Sequence, residues 1–459
     1  MSRRAVITGI GVVTPLGVGV AEFWRRALAG QSVCAPIPEH WAAYHRFHSN
    51  VWAPLPARDF AAQGVSRVEA AQLDRGEQIA VVCAREALEA AGIALRVKDG
   101  KKGTFALEGV DSEEAGVFIG TGIGGATSLT ANFLNHVGAP LLAGLADLGR
   151  RCAGEGGDSQ LPAALAALGA GLRAPSRFNP FAVAMAMPNG PAAVVGIRFG
   201  LHGRNTGCAA ACAAGTVAIG EALRAIRSGE MPLALAGGVE YAGDEQGSFF
   251  RAFDVVRTLA RAEGDPARAN RPFDAARNGF LFAEGGGAVL VVEELGHAQR
   301  RGAPVIAEIA GYGETFDAHS VMMMDPSGAQ MERMIALALA DAGVAAAEVD
   351  YVNAHGTGTL LNDETESTLL RRIFGDRPLV NSTKSLIGHT IAASGAIEAA
   401  VAALSIRDQA THPSANLENP INGLRYAREP GPASIGCALS ESFAFGGHNA
   451  ALILRRYTP

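Results

Sequence analysis

The sequence has few cysteines, and their spacing excludes the usual metal-binding and disulfide patterns. Only six occur among 459 residues, and none of them forms a CxxC pair. Cys208 and Cys212 have neither a nearby histidine nor a second cysteine pair that would complete a zinc site. We therefore expect no bound metal and predict that the cysteines are reduced, as in a cytoplasmic protein.

An excess of basic residues is also lacking. The formal net charge is −6, whereas a nucleic-acid-binding protein needs a basic face, so no nucleic-acid partner is expected. Charged residues make up only 18% of the chain and hydrophobic residues 48%, a composition typical of a globular protein and not of a disordered one. The length allows one large domain or two to three ordinary ones.

The sequence contains no apolar run that predicts a membrane helix. An uncharged stretch covers residues 5–20, but Pro15 and four glycines interrupt it and no convincing cleavage site follows. We expect a strand that enters a glycine loop there, and not a signal peptide. No other segment reaches membrane-spanning length without charges or helix breakers, so the prediction is a cytoplasmic protein with no membrane partner.

Short β-branched runs that end in glycine alternate with alanine-rich stretches whose apolar residues recur every three or four positions. This alternation predicts an α/β fold with largely parallel sheets. The predicted strands lie at 4–11, 115–122, 233–240, 287–294, 305–313, 349–356 and 434–447. The predicted helices include 76–92, 216–229, 329–343 and 395–408.

A weak internal similarity suggests that the chain contains two related halves. Strand, turn and helix follow one another in a similar order in each half, although the identity between the halves is too weak to prove a duplication. Residues 97–112 are polar and predict an exposed loop, whereas residues 138–176 predict a helical hairpin. Neither insertion suggests a function.

The stretch TGCAAACAAGTVAIG, residues 206–220, contains Cys208 and Cys212 four positions apart. One can be a nucleophile, both can be packing residues, or the pair can bind a metal. Cys212 directly precedes a predicted helix, where the helix dipole and the free backbone N–H groups favour a thiolate. Cys208 comes one helical turn earlier. We predict that Cys212 is the nucleophile and Cys208 a packing residue, with two buried structural cysteines as the competing interpretation.

Three later motifs place polar or aromatic side chains on glycine-rich loops. NAHGTGT carries His355, NSTKSLIGH carries Lys384 and His389, and SFAFGGHN carries Phe443 and Phe445. Taken singly, each motif has a structural explanation: a loop histidine, a capping lysine or a tight turn.

In this order and spacing, ACAAG, HGTGT, TKSxxGH and SFxFGGxN resemble the β-ketoacyl synthase family of the thiolase-like superfamily. The resemblance covers nearly the whole chain and is greatest to the synthase I/II type, mostly synthase II. It implies a thiolase-like fold with duplicated βαβαβαββ halves in a layered α-β-α-β-α core. We place the half with the nucleophile at 1–255 and the half with two catalytic histidines at 256–459.

The implied activity is that of a β-ketoacyl-[acyl-carrier-protein] synthase, an acyltransferase of fatty-acid or of polyketide or polyene chain elongation. Cys212 would hold an acyl group. His355 and His389 would help malonyl-[acyl-carrier-protein] lose CO₂ and would stabilise the enolate of a decarboxylative Claisen condensation. The backbone N–H groups of Cys212 and Phe445 would form the oxyanion hole, and the Phe445 side chain would cover the acyl-cysteine.

The resemblance also assigns supporting roles. Lys384 and Glu398 would orient the histidines and balance charge. Residues that would contact the substrate or its carrier arm are Thr357, Thr359, Ile123 and Phe443. No cofactor is expected to be tightly bound, because the phosphopantetheine arm arrives on the acyl carrier protein.

The face that would bind the carrier protein departs from the family pattern. Around SRVEAAQLD only Arg67 is basic, whereas Arg177 and Arg257 match basic positions elsewhere. We therefore expect altered docking contacts or a dedicated carrier protein. The resemblance further implies a homodimer, or a heterodimer with a related synthase-like chain.

Parts of the sequence also match three other classes of protein. A chain-length-factor-like subunit is usually without the nucleophilic cysteine, which is present here as Cys212. An NAD-dependent oxidoreductase is suggested only by GTGIGG, residues 120–125, without the expected acid at the end of a following strand. A thiolase would have a cysteine in the loop that here reads FAFGGHN.

Overall fold

The computed structural model describes residues 3–57, 59–100, 103–152, 163, 165–169 and 179–458. Its strands, in chain order, are β1 (Ala5–Thr14), β2 (Gly17–Val18), β3 (Ala35–Pro36), β4 (Val51–Trp52), β5 (Leu95–Asp99), β6 (Thr104–Leu107), β7 (Ala115–Gly120), β8 (Asn205–Cys208), β9 (Leu233–Tyr241), β10 (Gly285–Glu294), β11 (Ala307–Phe316), β12 (Tyr351–Asn353), β13 (Leu379–Asn381), β14 (Ala410–Thr411), β15 (Gly431–Pro432), β16 (Cys437–Phe443) and β17 (His448–Arg455).

The α-helices with named bounds are α1 (Val20–Leu28), α2 (Arg67–Ala70), α3 (Arg75–Ala90), α4 (Ala126–Phe133), α5 (Ala139–Cys152), α6 (Ala182–Ala186), α7 (Gly190–Phe199), α8 (Ala214–Ser228), α9 (Ser248–Asp254), α10 (Leu295–Arg300), α11 (Ala329–Ala342), α12 (Leu360–Phe374), α13 (Lys384–Ile387) and α14 (Ser394–Asp408). A further helical stretch lies at 165–169.

The main sheet repeats one topology twice. Its strand order is β13-β12-β16-β17-β11-β1-β10-β9-β7-β8, with β2 paired to β1. When the five strands of each half are numbered in chain order, their order from the outer edge of the sheet to its centre is 3-2-4-5-1 in both halves. The intervening helices give each half the predicted βαβαβαββ pattern. The structure thus confirms the duplication that the sequence only suggested, and the two five-stranded sheets join where β1 pairs with β11.

The expectation of largely parallel sheets is wrong. In the first half β7 pairs in parallel with β8 and β9, whereas β10 pairs antiparallel with both β9 and β1. The second half repeats this arrangement, because its last strand also returns without a crossover helix on the sheet. The parallel strands of each half therefore share one edge at their carboxyl ends, the usual position of a site in an α/β sheet.

Helices and sheets alternate in five layers, as predicted. Helices α8 and α14 contact each other between the two sheets. Helix α3 covers β1 and β10 on one outer face, and α11 covers β11 and β17 on the other. Residues 394–406 of α14 are all buried, which suits an alanine-rich helix with no polar face.

Two glycines let the central helices approach closely near their N-termini. A Cβ on Gly215 would lie 2.8 Å from the backbone nitrogen of Ala396, and a Cβ on Gly395 would overlap Oγ1 of Thr216. The starts of α8 and α14 are therefore held against each other, and the residues that precede them are brought into one region.

The predicted strands and helices are all present, but one insertion differs from its prediction. The 97–112 segment, expected as a loop, contributes to a hairpin in which β5 pairs antiparallel with β6. Its charged side chains lie on a small exposed two-stranded sheet, and the hydrophobic periodicity and polarity of the segment did not predict these strands. In the 138–176 segment α5 and the helical stretch at 165–169 agree with a helical interpretation; the residues between them lie largely outside the described part. None of the described helices is both long and apolar enough to cross a membrane.

Candidate active site

The predicted nucleophile lies on a strained turn between a strand and a central helix. Strand β8 ends at Cys208, Ala211 follows with a φ of 44°, and the 3-10 turn Ala211–Ala213 leads into α8. A positive φ is unfavourable for a residue with a Cβ, so the chain is strained where it turns toward Cys212. The turn leaves the Cys212 side chain 2% exposed.

A cavity of about 220 Å³ brings Cys212 together with most of the predicted site residues. Part of the cavity wall is buried, but the lining residue Met323 is 59% exposed. The cavity therefore connects the thiol with the surface. The lining residues are Cys212, Thr258, Phe280, Met322, Met323, Met324, His355, Thr357, Thr359, Leu361, Asn362, His389, Phe443, Ala444 and Phe445.

Contact with an imidazole distinguishes the two cysteines. Nε2 of His389 lies 3.1 Å from Sγ of Cys212. Cys208 instead packs in the hydrophobic core around the central helices. Burial raises the pKa of each thiol to about 11, so acidity does not separate them. Geometry therefore favours Cys212 as the reactive residue.

The thiolate expected at this helix start is not the resting form of Cys212. Burial outweighs the charge of Lys384 and the backbone N–H groups of Phe445 and Cys212, which lower the pKa of the thiol only in part. The reason is that the buried position of Sγ leaves too little water around it to solvate the anion. The two N–H groups nevertheless act on Sγ, so they are close to any acyl group bonded to it.

Both predicted histidines are neutral, and their rings are perpendicular neighbours. The rings of His355 and His389 lie 5.5 Å apart at an angle of 87°. Burial lowers the pKa of each imidazole well below its ordinary value, and the charge of Lys384 lowers both further. A neutral imidazole donates through one nitrogen only, so the tautomer decides what each ring can do.

Neighbours that can only donate determine the tautomers. Nζ of Lys384 lies 3.1 Å from Nδ1 of His355, and the N–H of Ile391 donates to Nδ1 of His389 at 3.3 Å. Each Nδ1 atom therefore accepts a hydrogen bond, which leaves the proton on Nε2. The cavity wall thus contains two neutral imidazoles that donate from Nε2.

Ser394 is a buried partner of His389 that the sequence did not reveal. Its hydroxyl lies 2.9 Å from Nδ1 of His389 and accepts the N–H of Thr390 at 3.2 Å. Its own hydrogen can therefore point to Nδ1, as the neutral tautomer requires. In the sequence Ser394 is one small residue in AASGA, and nothing there separates it from the packing residues of the helix.

Lys384 uses its three donor positions on the site. Besides Nδ1 of His355, its Nζ donates to the carbonyl oxygen of His355 at 2.7 Å and to Oε1 of Glu398 at 2.5 Å. The Lys384 and Glu398 side chains are both 2% exposed. Burial raises the pKa of Glu398 to about 7, although Lys384 lowers it. The lysine therefore orients one imidazole and is itself held by the glutamate.

Two further carboxylates fix the loop that carries His355. Glu366 accepts the N–H groups of His355 and Gly356 at 2.7 and 2.8 Å. Asp363 accepts the N–H groups of Phe273 and Gly358 at 2.7 and 3.1 Å. These bonds replace regular secondary structure between β12 and α12 and hold the histidine in position.

The predicted substrate-binding residues are only partly brought together. Oγ1 of Thr357 lies 2.9 Å from Oγ1 of Thr359 on the cavity wall, and the Phe443 ring lies 5.5 Å from that of His355. The Phe445 ring, also on this wall, stacks at 6.3 Å on Phe253.

The structure places Ile123 and two of the three predicted docking arginines outside the lining of the cavity. Ile123 follows β7, is 37% exposed and is not among the described residues that line the cavity. Arg257 directly precedes the lining residue Thr258. The exposed Arg67 lies 4.0 Å from Asp59, and Arg177 falls outside the described residues.

In the glycine loop that suggested a dinucleotide site, a backbone N–H group is hydrogen-bonded to a buried side chain of the protein itself. The N–H of Gly122 donates to Oε2 of Glu240 at 2.9 Å, and a Cβ at Gly122 would meet the same carboxyl group. A dinucleotide phosphate needs such N–H groups free. Within the described residues, no group of three or more His, Cys, Asp or Glu is arranged to hold a metal ion.

Comparisons with known proteins agree with this geometry. The family model described as beta-ketoacyl synthase, N-terminal domain, matches residues 2–298, and that of the C-terminal domain matches residues 306–418. The 3-oxoacyl-[acyl-carrier-protein] synthase 2 of Coxiella burnetii is 34% identical over 461 residues, which cover 99% of both chains.

Two solved structures have the same fold. A type II polyketide ketosynthase, bound to the hexaketide and in complex with its acyl-carrier protein, matches with a TM-score of 0.80 and 27% identity over 100% of both chains. The ishigamide ketosynthase/chain length factor matches with a TM-score of 0.80 and 28% identity over 100% of both chains. The chain therefore belongs to the β-ketoacyl synthase family and is a condensing acyltransferase of the 3-oxoacyl-[acyl-carrier-protein] synthase type.

Proposed function

We propose that Cys212 carries the acyl group that this enzyme joins to a malonyl unit by decarboxylative Claisen condensation, in fatty-acid or polyketide chain elongation. The observation that carries the proposal is the 3.1 Å contact between Sγ of Cys212 and Nε2 of His389, in a cavity that also contains His355. One nucleophile beside two neutral donors suits a reaction that passes through an acyl-enzyme and then an enolate.

In the first half-reaction the Cys212 sulfur attacks the thioester carbonyl of an acyl-phosphopantetheine. A carbon–sulfur bond to Cys212 forms, the bond to the pantetheine sulfur breaks, and the thiol proton ends on the leaving thiol. The backbone N–H groups of Cys212 and Phe445 donate to the carbonyl oxygen as it gains negative charge. Nε2–H of His389 stabilises the sulfur while it is anionic.

In the second half-reaction the malonyl group loses CO₂ and the electron pair of the broken carbon–carbon bond forms an enolate. Nε2–H of His355 and Nε2–H of His389 donate to the enolate oxygen. The enolate carbon attacks the acyl-cysteine, the new carbon–carbon bond forms, the carbon–sulfur bond to Cys212 breaks, and the Cys212 thiolate takes a proton from water. Lys384 and Glu398 keep His355 in the donating tautomer.

The remaining predicted residues are proposed to bind the carrier arm and its acyl group. The hydroxyls of Thr357 and Thr359 would hydrogen-bond the arm, and the Phe443 and Phe445 rings would enclose the acyl-cysteine. Ile123 stays a proposed acyl-pocket residue, although it lies outside this cavity. The acyl carrier protein is the proposed partner, and Arg67, Arg177 and Arg257 of this chain are the proposed docking residues. We propose no tightly bound cofactor.

We propose a homodimer formed at the edge of the sheet where β8 has no further partner strand among the described residues. Strand β8 is the last strand of the sheet path, and an unpaired edge is usually covered. The neighbouring helices α6 and α7 expose Val183 and Ile197 at 71% and 69%. A heterodimer with a related chain is the alternative, as in the ketosynthase/chain length factor relative. The presence of Cys212 in contact with His389 argues against a non-catalytic subunit.

The proposed division into halves assigns the nucleophile to residues 1–255 and the histidines to residues 256–459. Under this division β10, from the second segment, completes the first sheet. A cytoplasmic location stays a prediction from the sequence.

A condensation assay with two carrier-bound substrates tests the proposed function. Octanoyl- and malonyl-loaded bacterial acyl carrier protein should give 3-oxodecanoyl carrier protein, detected by mass spectrometry, together with CO₂. His355→Ala should lower product formation by roughly a hundredfold through loss of one enolate donor, while Cys212 is still acylated. Product formation at the wild-type rate in this variant would contradict the assigned role. Absence of product from an acylated wild-type enzyme would contradict the activity itself.

A further inference from the structure

Five arginines line a second cavity, at the far end of α8 from Cys212. Helix α8 begins just after Cys212, and Arg227 lies in its last turn, which a rise of about 1.5 Å per residue places roughly 20 Å away. The cavity has a volume of about 490 Å³ and shares no lining residue with the cavity that contains Cys212. We call it the arginine pocket after its basic lining residues, Arg3, Arg4, Arg227, Arg455 and Arg456.

The arginine pocket is strongly positive although the chain as a whole is acidic. Glu308 and Asp341 are the two acids in its lining, so the arginines are in excess by three charges, whereas the whole protein has a formal net charge of −6. In the part of the chain that the structure describes, Arg3, Arg455 and Arg456 have no carboxylate within ion-pair distance. Like charges that are gathered in this way repel one another, and a bound anion relieves the repulsion.

Both acids of the pocket already bind an arginine. Nε and Nη2 of Arg4 donate to the two carboxylate oxygens of Glu308 at 3.0 and 2.8 Å. Nη1 of Arg227 donates to Oδ2 of Asp341 at 2.7 Å, whereas the buried Nε of Arg227 has no hydrogen-bond partner among the described residues. A buried donor without an acceptor is rare in folded proteins, so this N–H group is available to an anion in the pocket.

The backbone fixes the positions of the three arginines that have no acidic partner. A Cβ on Gly229 would overlap the Arg3 guanidinium, so the glycine after α8 lets this side chain lie against the main chain. Arg455 is the last residue of β17, and the N–H of Arg456 donates to the carbonyl oxygen of Gly436 at 2.8 Å. The guanidinium groups therefore extend from the main sheet and from the end of a central helix.

We infer that the arginine pocket binds the diphosphate group of a small molecule. A guanidinium group matches two phosphate oxygens at once, and three unpaired guanidinium groups offer more donors than one phosphate accepts. A single phosphate carries about two negative charges at neutral pH, fewer than the excess of three positive charges in the pocket.

The chemistry of the lining limits what is recognised to the diphosphate itself. The described lining contains no aromatic side chain on which a nucleotide base stacks. The ligand is therefore free diphosphate or a nucleotide held by its diphosphate. This site goes beyond the condensation reaction, since its ligand lies at the opposite end of α8 from the reacting thiol.

Isothermal titration calorimetry of the full-length enzyme with pyrophosphate, orthophosphate and ADP tests the inference, in a phosphate-free buffer with about 50 mM NaCl. We expect pyrophosphate to bind at least about tenfold more tightly than orthophosphate. Arg3→Gln and Arg456→Gln should each weaken pyrophosphate binding about tenfold, because each removes an unpaired guanidinium group. Glu308→Gln should strengthen it about threefold, because it removes an acid and frees Arg4.

Arg333→Gln is the matched control, because Arg333 is an exposed arginine of α11 that does not line the pocket. It removes the same charge and should change pyrophosphate affinity by less than about twofold. Thermal unfolding gives a second readout. Pyrophosphate should raise the Tm of the wild-type enzyme by mass action and raise that of Arg3→Gln less at the same concentration.

The ADP titration distinguishes the two sources of the diphosphate. An ADP affinity equal to or below that of pyrophosphate would support free diphosphate as the ligand, and a higher ADP affinity would support a nucleotide.

Four results would overturn the inference. Equal affinities for orthophosphate and pyrophosphate would show that no diphosphate is recognised. An equal loss in Arg333→Gln would mean that the anion responds only to the overall charge. Unchanged affinity in Arg3→Gln and Arg456→Gln would place the anion elsewhere. No binding of pyrophosphate or ADP at millimolar concentration would mean that the pocket is not an anion site.

Discussion

Each imidazole at the site is fixed in one tautomer by a neighbouring N–H group that can only donate a hydrogen bond. Lys384 donates to Nδ1 of His355, and the N–H of Ile391 donates to Nδ1 of His389. A lysine ammonium and a backbone N–H group can only donate, so Nε2 must carry the proton in both rings. The histidines therefore act as donors to developing negative charge, and low pKa values keep them neutral for this purpose.

Ser394→Ala should lower kcat for condensation about fivefold with KM unchanged, because one buried hydrogen bond of about 1 kcal/mol to Nδ1 of His389 is lost. Acylation of Cys212 should change less than condensation, since only the second half-reaction builds the enolate. Separate rates for the two half-reactions check this. Ser405→Ala, a buried serine further along α14, should alter neither rate. Equal losses in both variants would show that Ser394 acts only through packing.

Among individual residues, the sequence predicted those that belong to long motifs and missed those that act through a single contact. Cys212, His355 and His389 lie in ordered glycine-rich motifs, and the structure brings them to one cavity. Ser394 could not be predicted, because the distance between its hydroxyl and the imidazole depends on the fold of the turn after His389.

At the level of elements, the same strained turn begins both central helices. Ala211, with φ of 44°, starts the 3-10 turn before α8, and Ile391, with φ of 50°, starts the 3-10 turn before α14. The first turn carries Cys212 and the second follows His389. Because the two helices also cross closely at Gly215 and Gly395, both turns converge on one point.

Gly395→Ala should destabilise the protein by about 1–3 kcal/mol, because its Cβ would overlap Oγ1 of Thr216 in the packed contact between α8 and α14. Activity should fall as well, since the overlap displaces the helix that follows His389. Thermal unfolding and condensation rate measure the two effects. Gly149→Ala lies in α5, where no described atom beyond its chain neighbours and its own helix backbone is within 4 Å of the added Cβ, and it should instead be neutral or slightly stabilising. Tolerance of Gly395→Ala would contradict the close crossing.

The long elements followed from the sequence and the short ones did not. Helices such as α3 and α14 contain enough turns for their apolar period to be read, and buried strands such as β10 contain a continuous run of β-branched and other apolar residues. Strand β8 has the sequence NTGC, which has no strand pattern; it exists because it pairs with β7. The β5–β6 hairpin was predicted as a loop because its residues are polar and its strands are stabilised by pairing.

At the scale of the whole molecule, two copies of one fold meet and each supplies what the other does not contain. The first contributes the cysteine from the start of α8, and the second contributes both histidines and Lys384. The duplication places the start of each central helix at the same junction. The low sequence identity between the halves only suggests this relation, whereas their identical strand orders establish it.

The buried carboxyl groups should make the whole molecule less stable as pH rises from about 7 to about 8. Burial raises the pKa of Glu240 to about 8, above the 4.5 of an unfolded chain. The native state thus keeps a proton that the unfolded state has released, and stability falls by about 1 kcal/mol per pH unit for such a group. Unfolded histidines are already mostly neutral in this range and add little.

Glu240→Gln should therefore reduce the loss of thermal stability between pH 7 and pH 8, whereas substitution of the exposed Glu245 by Gln should not. Scanning calorimetry at half-unit pH intervals measures the difference. A pH dependence identical to that of the wild-type enzyme would mean that Glu240 is ionised in the native state.

The measurement that tests the central claim most directly is intact-protein mass spectrometry after incubation with octanoyl carrier protein, followed by peptide mapping of the adduct. We predict one octanoyl group on Cys212 and none on Cys208, because only Cys212 contacts His389 and lines the cavity. Cys212→Ala should abolish the adduct and Cys208→Ala should retain it. An octanoyl group on Cys208, or an adduct that persists in Cys212→Ala, would contradict the assignment of the nucleophile.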